Sequence, residues 1–251
     1  MIRELVARWK LGYRTIPFPA KEPTLPDRYR GCPVVNGPGC PEACRTCVEI
    51  CPTEAVKITA GGLCLDLGRC LFCGECEAAC PHGVIGFSRE YRMSARRRQD
   101  LIVPGRAGDT DCALDDRVKR LLGRALRLRQ VSAGGCNACE ADTNVLTTVV
   151  FDLGRFGIQF VASPRHADGI LVTGPVTENM KLALMKTYEA VPEPKIVIAT
   201  GACAISGGPY AGHGEVNNGV EGLLPVDLYI PGCPPHPIVI LDGLLRMLGR
   251  I

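Results

Sequence analysis

Twelve of the chain's fifteen cysteines fall into three spaced sets, and so many thiols constrain the fold more than any hydrophobic pattern does. The first set is Cys40, Cys44, Cys47 and Cys51, with Pro52 next; the second is Cys70, Cys73, Cys76 and Cys80, with Pro81 next. Cys44, Cys47 and Cys51 recur at one constant offset as Cys73, Cys76 and Cys80, and Cys40 alone is out of step, by one residue. This is an internal repeat. Its flanks repeat as well: residues 51–58 read CPTEAVKI and residues 80–87 read CPHGVIGF, each a proline turn entering a short strand-like run.

The second set has the CxxCxxCxxxCP form of bacterial ferredoxins, in which three thiolates hold one 4Fe-4S cluster and the fourth serves its twin. Zinc ribbons instead pair two CxxC knuckles across a longer insert around a single tetrahedral ion. Disulfides need an oxidising compartment, and the opening MIRELVARWKLGYR mixes charges and offers no apolar signal core. A net charge of +3 is far from the strongly basic balance of a nucleic-acid binder, and aromatics at 5% supply few stacking platforms for bases. No apolar run reaches the length of a membrane span, because the longest uncharged stretch, residues 196–214, is broken by glycines and a proline. The expectation is a cytoplasmic polypeptide whose membrane contact comes through partners.

Four segments follow from these patterns. Residues 1–31 begin with a short helical stretch and become proline-rich, which suggests an extended arm lying over a neighbour, a disordered tail being the alternative; residues 32–90 hold the cysteine repeat. Residues 91–114 form a connection with a basic run (Arg92, Arg96, Arg97, Arg98) and a glycine-rich turn at Gly105 to Gly108. Within residues 115–251, Leu121, Leu122, Ala125 and Leu126 recur at helical spacing, predicting a helix whose basic face is solvated, a partner-docking surface being the alternative. Strands are then predicted near 128–132, 158–162, 169–173, 195–200 and 226–230, and helices near 140–154, 178–190 and 236–248. That alternation describes an α/β flavodoxin-like C-terminal domain with a mostly parallel sheet, preceded by an α+β ferredoxin-like domain. One joint resists it. SPRHADG is too short for a crossover with its own helix, so that unit is truncated or its strand lies at an edge.

The third set sits where such sheets gather function, at the carboxyl ends of strands. Cys136 and Cys139 follow the first strand, Cys203 the fourth and Cys233 the fifth, with Gly134, Gly135, Gly201 and Gly232 letting backbone crowd against a bulky inorganic group. A third 4Fe-4S cluster is expected here. Cys32, Cys64 and Cys112 fit no set and are expected to be small buried or free thiols.

These residues carry a resemblance across nearly the whole chain. GCNACE, SPRHADGILVTGPVT, GACAISGG and YIPGCPPHP resemble the cluster-bearing small subunit shared by complex I and by nickel-iron hydrogenases of the formate hydrogenlyase and energy-converting type. TIPFP, LPDRYRG and LDLGRCLFCGEC resemble the two-cluster ferredoxin-like subunit of the same complexes, so the chain looks like a fusion of the two. The resemblance implies crossed ligation, with Cys40, Cys44, Cys47 and Cys80 for one cluster and Cys70, Cys73, Cys76 and Cys51 for the other. It implies an oxidoreductase subunit relaying electrons through three 4Fe-4S clusters, peripheral on the cytoplasmic face of the membrane. Its partners would be a large catalytic subunit, integral membrane subunits and a soluble donor or acceptor such as ferredoxin or a formate-oxidising subunit. Cys136 and Cys139 are separated by two residues, as in the hydrogenase branch, whereas complex I has adjacent cysteines. An equivalent relay serving a quinone site is the alternative within redox chemistry, and a zinc-stabilised assembly scaffold is the alternative outside it. Glu140, directly after a ligand, is a candidate proton relay or simply a helix N-terminal carboxylate. Arg165 and His166 are candidates to hydrogen-bond or sense the third cluster, an Arg165–Asp168 ion pair being the alternative. His236 stands where the motif often has arginine.

Overall fold

The computed structural model describes residues 2–36, 40–41, 44–103, 112–122 and 125–251. The expected turn at Gly105 to Gly108 lies outside them.

Helix α1, Ile2–Leu11, buries none of its residues. The proline-rich arm after it is held along both halves of this same chain. Ile16 N–H donates to Val150 O (2.9 Å), the Arg155 guanidinium donates to Ile16 O and Phe18 O (both 2.9 Å), and Phe18 packs edge-on to Tyr91.

The front domain reproduces the sequence repeat. Strand β1, Pro33–Val35, is followed by helix α2, Thr46–Glu49, and strand β2, Val56–Thr59. Strand β3, Gly62–Asp66, helix α3, Glu75–Ala78, and strand β4, Ile85–Phe87, are the second copy. Pairing crosses between copies, β1 antiparallel to β4 and β2 antiparallel to β3. Each copy therefore lends a strand to the other, and Val56, Leu65, Val84 and Ile85 close a shared small core. Glu54 (φ 53°) and Gly83 (φ 59°) occupy equivalent left-handed turns after the two prolines.

Residues 91–103 are structured rather than a passive tether. Strand β5, Ile102–Val103, adds to β3, and Ala95 exchanges both backbone hydrogen bonds with Tyr229 (3.0 and 2.8 Å) at the edge of the rear sheet. Asp66 and Arg98 form a bidentate pair at 2.6 and 2.7 Å.

Helix α4, Asp116–Leu122, is shorter than its spacing suggests, since Leu126 already belongs to strand β6, Leu126–Ser132. The alternating LRLRQVS sends Leu126 and Leu128 into one layer and Val131 into the other, a period of two that wins over the helical one. Helix α5, Ala138–Val145, ends well before the expected residue 154. There the β-branched run Thr147 to Val150 begins, and the Thr147 and Thr148 hydroxyls bond back to Asn144 O and Val145 O (2.8 and 2.7 Å). Strand β7, Ile158–Phe160, strand β8, Gly169–Thr173, helix α6, Glu178–Ala190, strand β9, Ile196–Thr200, helix α7, Ala202–Ser206, strand β10, Leu228–Ile230, and helix α8, Pro237–Met247, complete the chain.

The rear sheet is wholly parallel, in the order β10-β9-β8-β6-β7. Counted within this domain, that is the flavodoxin-like order 2-1-3-4-5. The short joint resolves accordingly: β7 is an edge strand, and a single 3₁₀ turn, Pro164–His166, stands in for a crossover helix. The central strands β8 and β9 are buried throughout, as parallel strands covered on both faces must be. Leu171 and Ile198 face α8 and the front domain, while Ile170, Val172 and Val197 face Leu184 of α6.

Leu171 is fully buried in the central strand. Leu171→Ala is expected to cost about 2–5 kcal/mol of stability, read as a lower urea midpoint of the rear domain; a loss below about 0.5 kcal/mol would contradict this packing.

Candidate metal centre

The fold sorts the twelve thiols by their mutual electrostatic effects. Burial, then the sulfurs of Cys44 and Cys80, pushes the Cys40 thiol up, and Cys47 is raised by burial, then by Cys40, with Cys80 and Cys44 also contributing. In the second group burial pushes Cys70 up to about 12 against a hydrogen bond from Phe72 N–H, with Cys76, Cys51 and Cys73 adding to the rise. Cys76 rises to about 11, through burial and then Cys51 and Cys73. Cys51 thus stands with the second copy and Cys80 with the first.

The third group gathers at the carboxyl edge of the rear sheet. Burial, then Cys203, Glu140, Cys233 and Cys136, drives Cys139 far above an ordinary thiol, and Cys203 is pushed up to about 12 by burial, Cys233, Cys136 and Glu140. Cys233 is raised by burial, by Cys136 and also by Cys73 of the second group. That last interaction bridges the two domains.

Backbone donors line the first two groups, and glycines the third. Ala55 N–H donates to Cys51 Sγ (3.2 Å), Val84 N–H to Cys80 Sγ (3.4 Å) and Phe72 N–H to Cys70 Sγ (3.3 Å), the first two at equivalent points of the repeat. Burial is the largest single influence on Cys80, but the N–H groups of Ile85, His82, Val84 and Gly83 together outweigh it and lower the thiol. In the third group a Cβ on Gly201 (φ 89°) would stand 2.6 Å from Cys139 Sγ, and one on Gly208 (φ 55°) would stand 2.9 Å from Cys203 Sγ. Backbone room of this kind suits a group larger than an ion. Among the described residues no set of His, Cys, Asp or Glu closes to single-ion spacing. One zinc would draw four thiolates to about 2.3 Å of itself, whereas a cube of iron and sulfide keeps its ligands wider apart. Four thiols with N–H donors in the first two groups, and four thiols with close-approaching glycine backbone in the third, fit the chemistry of a 4Fe-4S group.

The non-cysteine candidates divide. Glu140 is buried next to the third group, and Thr173 Oγ1, at the end of β8, donates to its Oε1 at 2.6 Å. Arg165 and His166 are not brought to the cysteines. They lie in the 3₁₀ turn that precedes β8, at its amino edge, while the thiols follow the carboxyl edge about 13 Å along the strand. Asp168 is held by the Arg127 backbone, its Oδ2 accepting from Arg127 N–H at 2.7 Å, and among the described residues it makes no ion pair with Arg165. His236 caps α8, its Nδ1 accepting from Ile238 N–H (3.2 Å), and burial holds its ring below the usual imidazole range. Cys32 and Cys112 are buried and donate to Pro33 O and Ser94 O, and Cys64 is half-buried in β3. Thr173 lies within SPRHADGILVTGPVT and Glu140 closes GCNACE, but nothing in the spacing of the two motifs points to a contact between these side chains.

Residues 63–86 match the 4Fe-4S binding domain, and residues 136–247 match the NADH ubiquinone oxidoreductase 20 kDa subunit. A probable membrane-bound hydrogenase subunit from Pyrococcus furiosus is 40% identical over 141 residues, spanning 55% of this chain and 84% of that protein. The chain belongs to the 20 kDa subunit family. Subunit 7 of formate hydrogenlyase from Escherichia coli is 37% identical over 159 residues, 63% of this chain and 62% of that one. An NADH-quinone oxidoreductase subunit from Heliobacterium modesticaldum is 42% identical over 120 residues, 47% and 69% of the two chains. Membership of this family makes the chain an electron-transferring oxidoreductase subunit, and its ferredoxin-type segment is a 4Fe-4S binding domain.

The raised thiols give a sign to pH dependence in the metal-free chain. A thiol of the unfolded chain ionises near about 8.5, whereas Cys70, Cys76 and Cys203 stay protonated to about 11 or 12. The unfolded state then binds fewer protons, so stability present below the unfolded value is lost as pH rises through this window. The denaturation midpoint of reduced, metal-free protein is expected to fall between about pH 8 and about pH 10. A flat or rising midpoint would contradict it.

Proposed function

We propose that this chain relays electrons within a membrane-associated nickel-iron hydrogenase, through three 4Fe-4S clusters, with the catalytic metals on a separate large subunit. Cys40, Cys44, Cys47 and Cys80 hold the first cluster, Cys51, Cys70, Cys73 and Cys76 the second, and Cys136, Cys139, Cys203 and Cys233 the third. The observation that carries this reading is the sorting of twelve thiols into three groups of four, joined across the domains by Cys73 and Cys233. When bound, such clusters supply reversible one-electron transfer at potentials set by burial and hydrogen bonding.

The residues around the thiols have separate tasks. Ala55, Phe72 and Val84 donate N–H groups that lessen the charge on the second and first groups' sulfurs. Ser206 Oγ donates to Gly68 O (2.9 Å), and a Cβ on Gly68 would stand 2.7 Å from Ile205 Cγ2, so α7 of the rear domain is seated against the turn before Cys70. This contact keeps the second and third groups at a fixed separation. Glu140, held by Thr173 beside Cys139 and Cys203, is a buried carboxylate able to hold or pass a proton at the edge that would face the large subunit.

The Pyrococcus relative, covered over 84% of its length, and the separated Cys136 and Cys139 support the hydrogenase branch over a quinone-type partner. No helix among the described residues is long and apolar enough to cross a membrane. Helix α1 supports a peripheral association instead: Ile2, Leu5, Val6 and Trp9 form one exposed apolar stripe, and Arg3, Arg8 and Lys10 flank it on both sides.

Anaerobically isolated protein is expected to contain about twelve irons and as many sulfides. Cys44→Ser and Cys80→Ser should each cost about four irons, and the two together still about four, because both serve the first cluster. Additive loss would overturn the crossing. Removal of residues 2–12 is expected to shift the complex from the membrane fraction towards the soluble one, with iron content unchanged; unaltered sedimentation would remove α1 from the account.

A further inference from the structure

The arm that joins the two halves ends in an arginine that the fold positions and does not use. Tyr29 packs edge-on against His236, Gly31 N–H donates to Ser88 O (2.8 Å), and Arg30 stands between these two anchored residues. Its guanidinium lies against Gly74, where a Cβ would stand 2.8 Å from Nε and 3.0 Å from Cζ. Gly74 has φ 85° and immediately follows Cys73, so the residue that makes this turn possible also leaves room for the cation. Arg30 also lines a cavity of about 240 Å³ together with Phe72 and Cys233. Neighbouring arginines are engaged: Arg89 with Leu25 O, Arg92 with Glu22 and Arg98 with Asp66. Among the described residues Arg30 has neither a carboxylate nor a carbonyl partner.

We propose that Arg30 sets the reduction potential at the joint between the second and third thiol groups, as a positive charge held against Gly74, the residue after Cys73, and lining the same cavity as Cys233. The inference rests on the ligand assignment proposed above. A reduced cluster carries one more negative charge than the oxidised one, so a fixed neighbouring cation stabilises the reduced state and raises the potential. The arm therefore contributes charge as well as contacts, and it does so where an electron must pass between domains. Arg30 is exposed, so the effect is screened by salt.

The test is a redox titration of the intact, anaerobically isolated protein followed by electron paramagnetic resonance, comparing wild type with Arg30→Gln and Arg30→Lys. In Arg30→Gln the second cluster's midpoint is expected to fall, changing its ratio of reduced to oxidised form at a fixed potential by about threefold or more at low salt. The first cluster and the iron content should be unchanged, Arg30→Lys should restore most of the shift, and added salt should narrow the gap. Unchanged midpoints in Arg30→Gln with full iron content, or an Arg30→Lys protein that behaves like Arg30→Gln, would overturn the role assigned to the charge. Wild-type protein without iron and sulfide would overturn the ligand assignment itself, a failure visible before any variant is measured.

Discussion

Thiols forced together inside a protein resist ionisation twice, through burial and through one another, and seven of this chain's grouped cysteines, Cys40, Cys47, Cys70, Cys76, Cys139, Cys203 and Cys233, are held in that condition. Cys70, Cys76, Cys139 and Cys203 are all raised far above free cysteine by burial first and by neighbouring sulfurs next. The metal-free thiols therefore keep their protons at neutral pH, and iron, whose positive charge offsets both costs for a bound thiolate, would displace those protons on binding. The N–H donors of Ala55, Phe72 and Val84 and the space beside Gly201 and Gly208 make sense as preparation for that guest.

Two different architectures reach the same result. In the front domain, strands and cysteines are exchanged by the same duplication: β1 pairs with β4, β2 with β3, while Cys51 stands with the second copy and Cys80 with the first. Neither copy can close its thiol group alone. In the rear domain no repeat exists, and three loops leaving β6, β9 and β10 meet because all parallel strands present their carboxyl ends to one edge. The Ala95–Tyr229 bridge, the Ser206–Gly68 hydrogen bond and the arm then bind the domains together, so the Cys73–Cys233 proximity is a property of one folded unit.

Features legible in the sequence were those with a short period or an obligatory residue. The repeat was visible because ligand spacing tolerates almost no change, and the central strands β8 and β9 because Val, Ile and Leu run almost continuously where both faces are covered. Local context defeated other readings. Leu121 to Leu126 has helical spacing, yet Leu126 pairs with Ile158 in a sheet, and the helix expected to reach residue 154 stops at Val145 where threonine hydroxyls capture its last carbonyls. Arg165 and His166 were expected beside the third group because SPRHADG leaves one strand and enters the next. Because β8 is parallel to its neighbours, the turn that enters it must lie at the amino edge, opposite the edge where the thiols gather. Long-range contacts such as Thr173 with Glu140, or Arg30 over Gly74, leave no periodic mark at all.

The account depends on iron being shared by cysteines from different copies and different loops. Anomalous scattering at the iron absorption edge, from crystals grown without oxygen, tests this directly. Three compact iron positions are predicted, the first among Cys40, Cys44, Cys47 and Cys80, and the second and third on either side of Cys73 and Cys233. Signal at the zinc edge instead of the iron edge, or an iron position drawing Cys40, Cys44, Cys47 and Cys51 together, would contradict it.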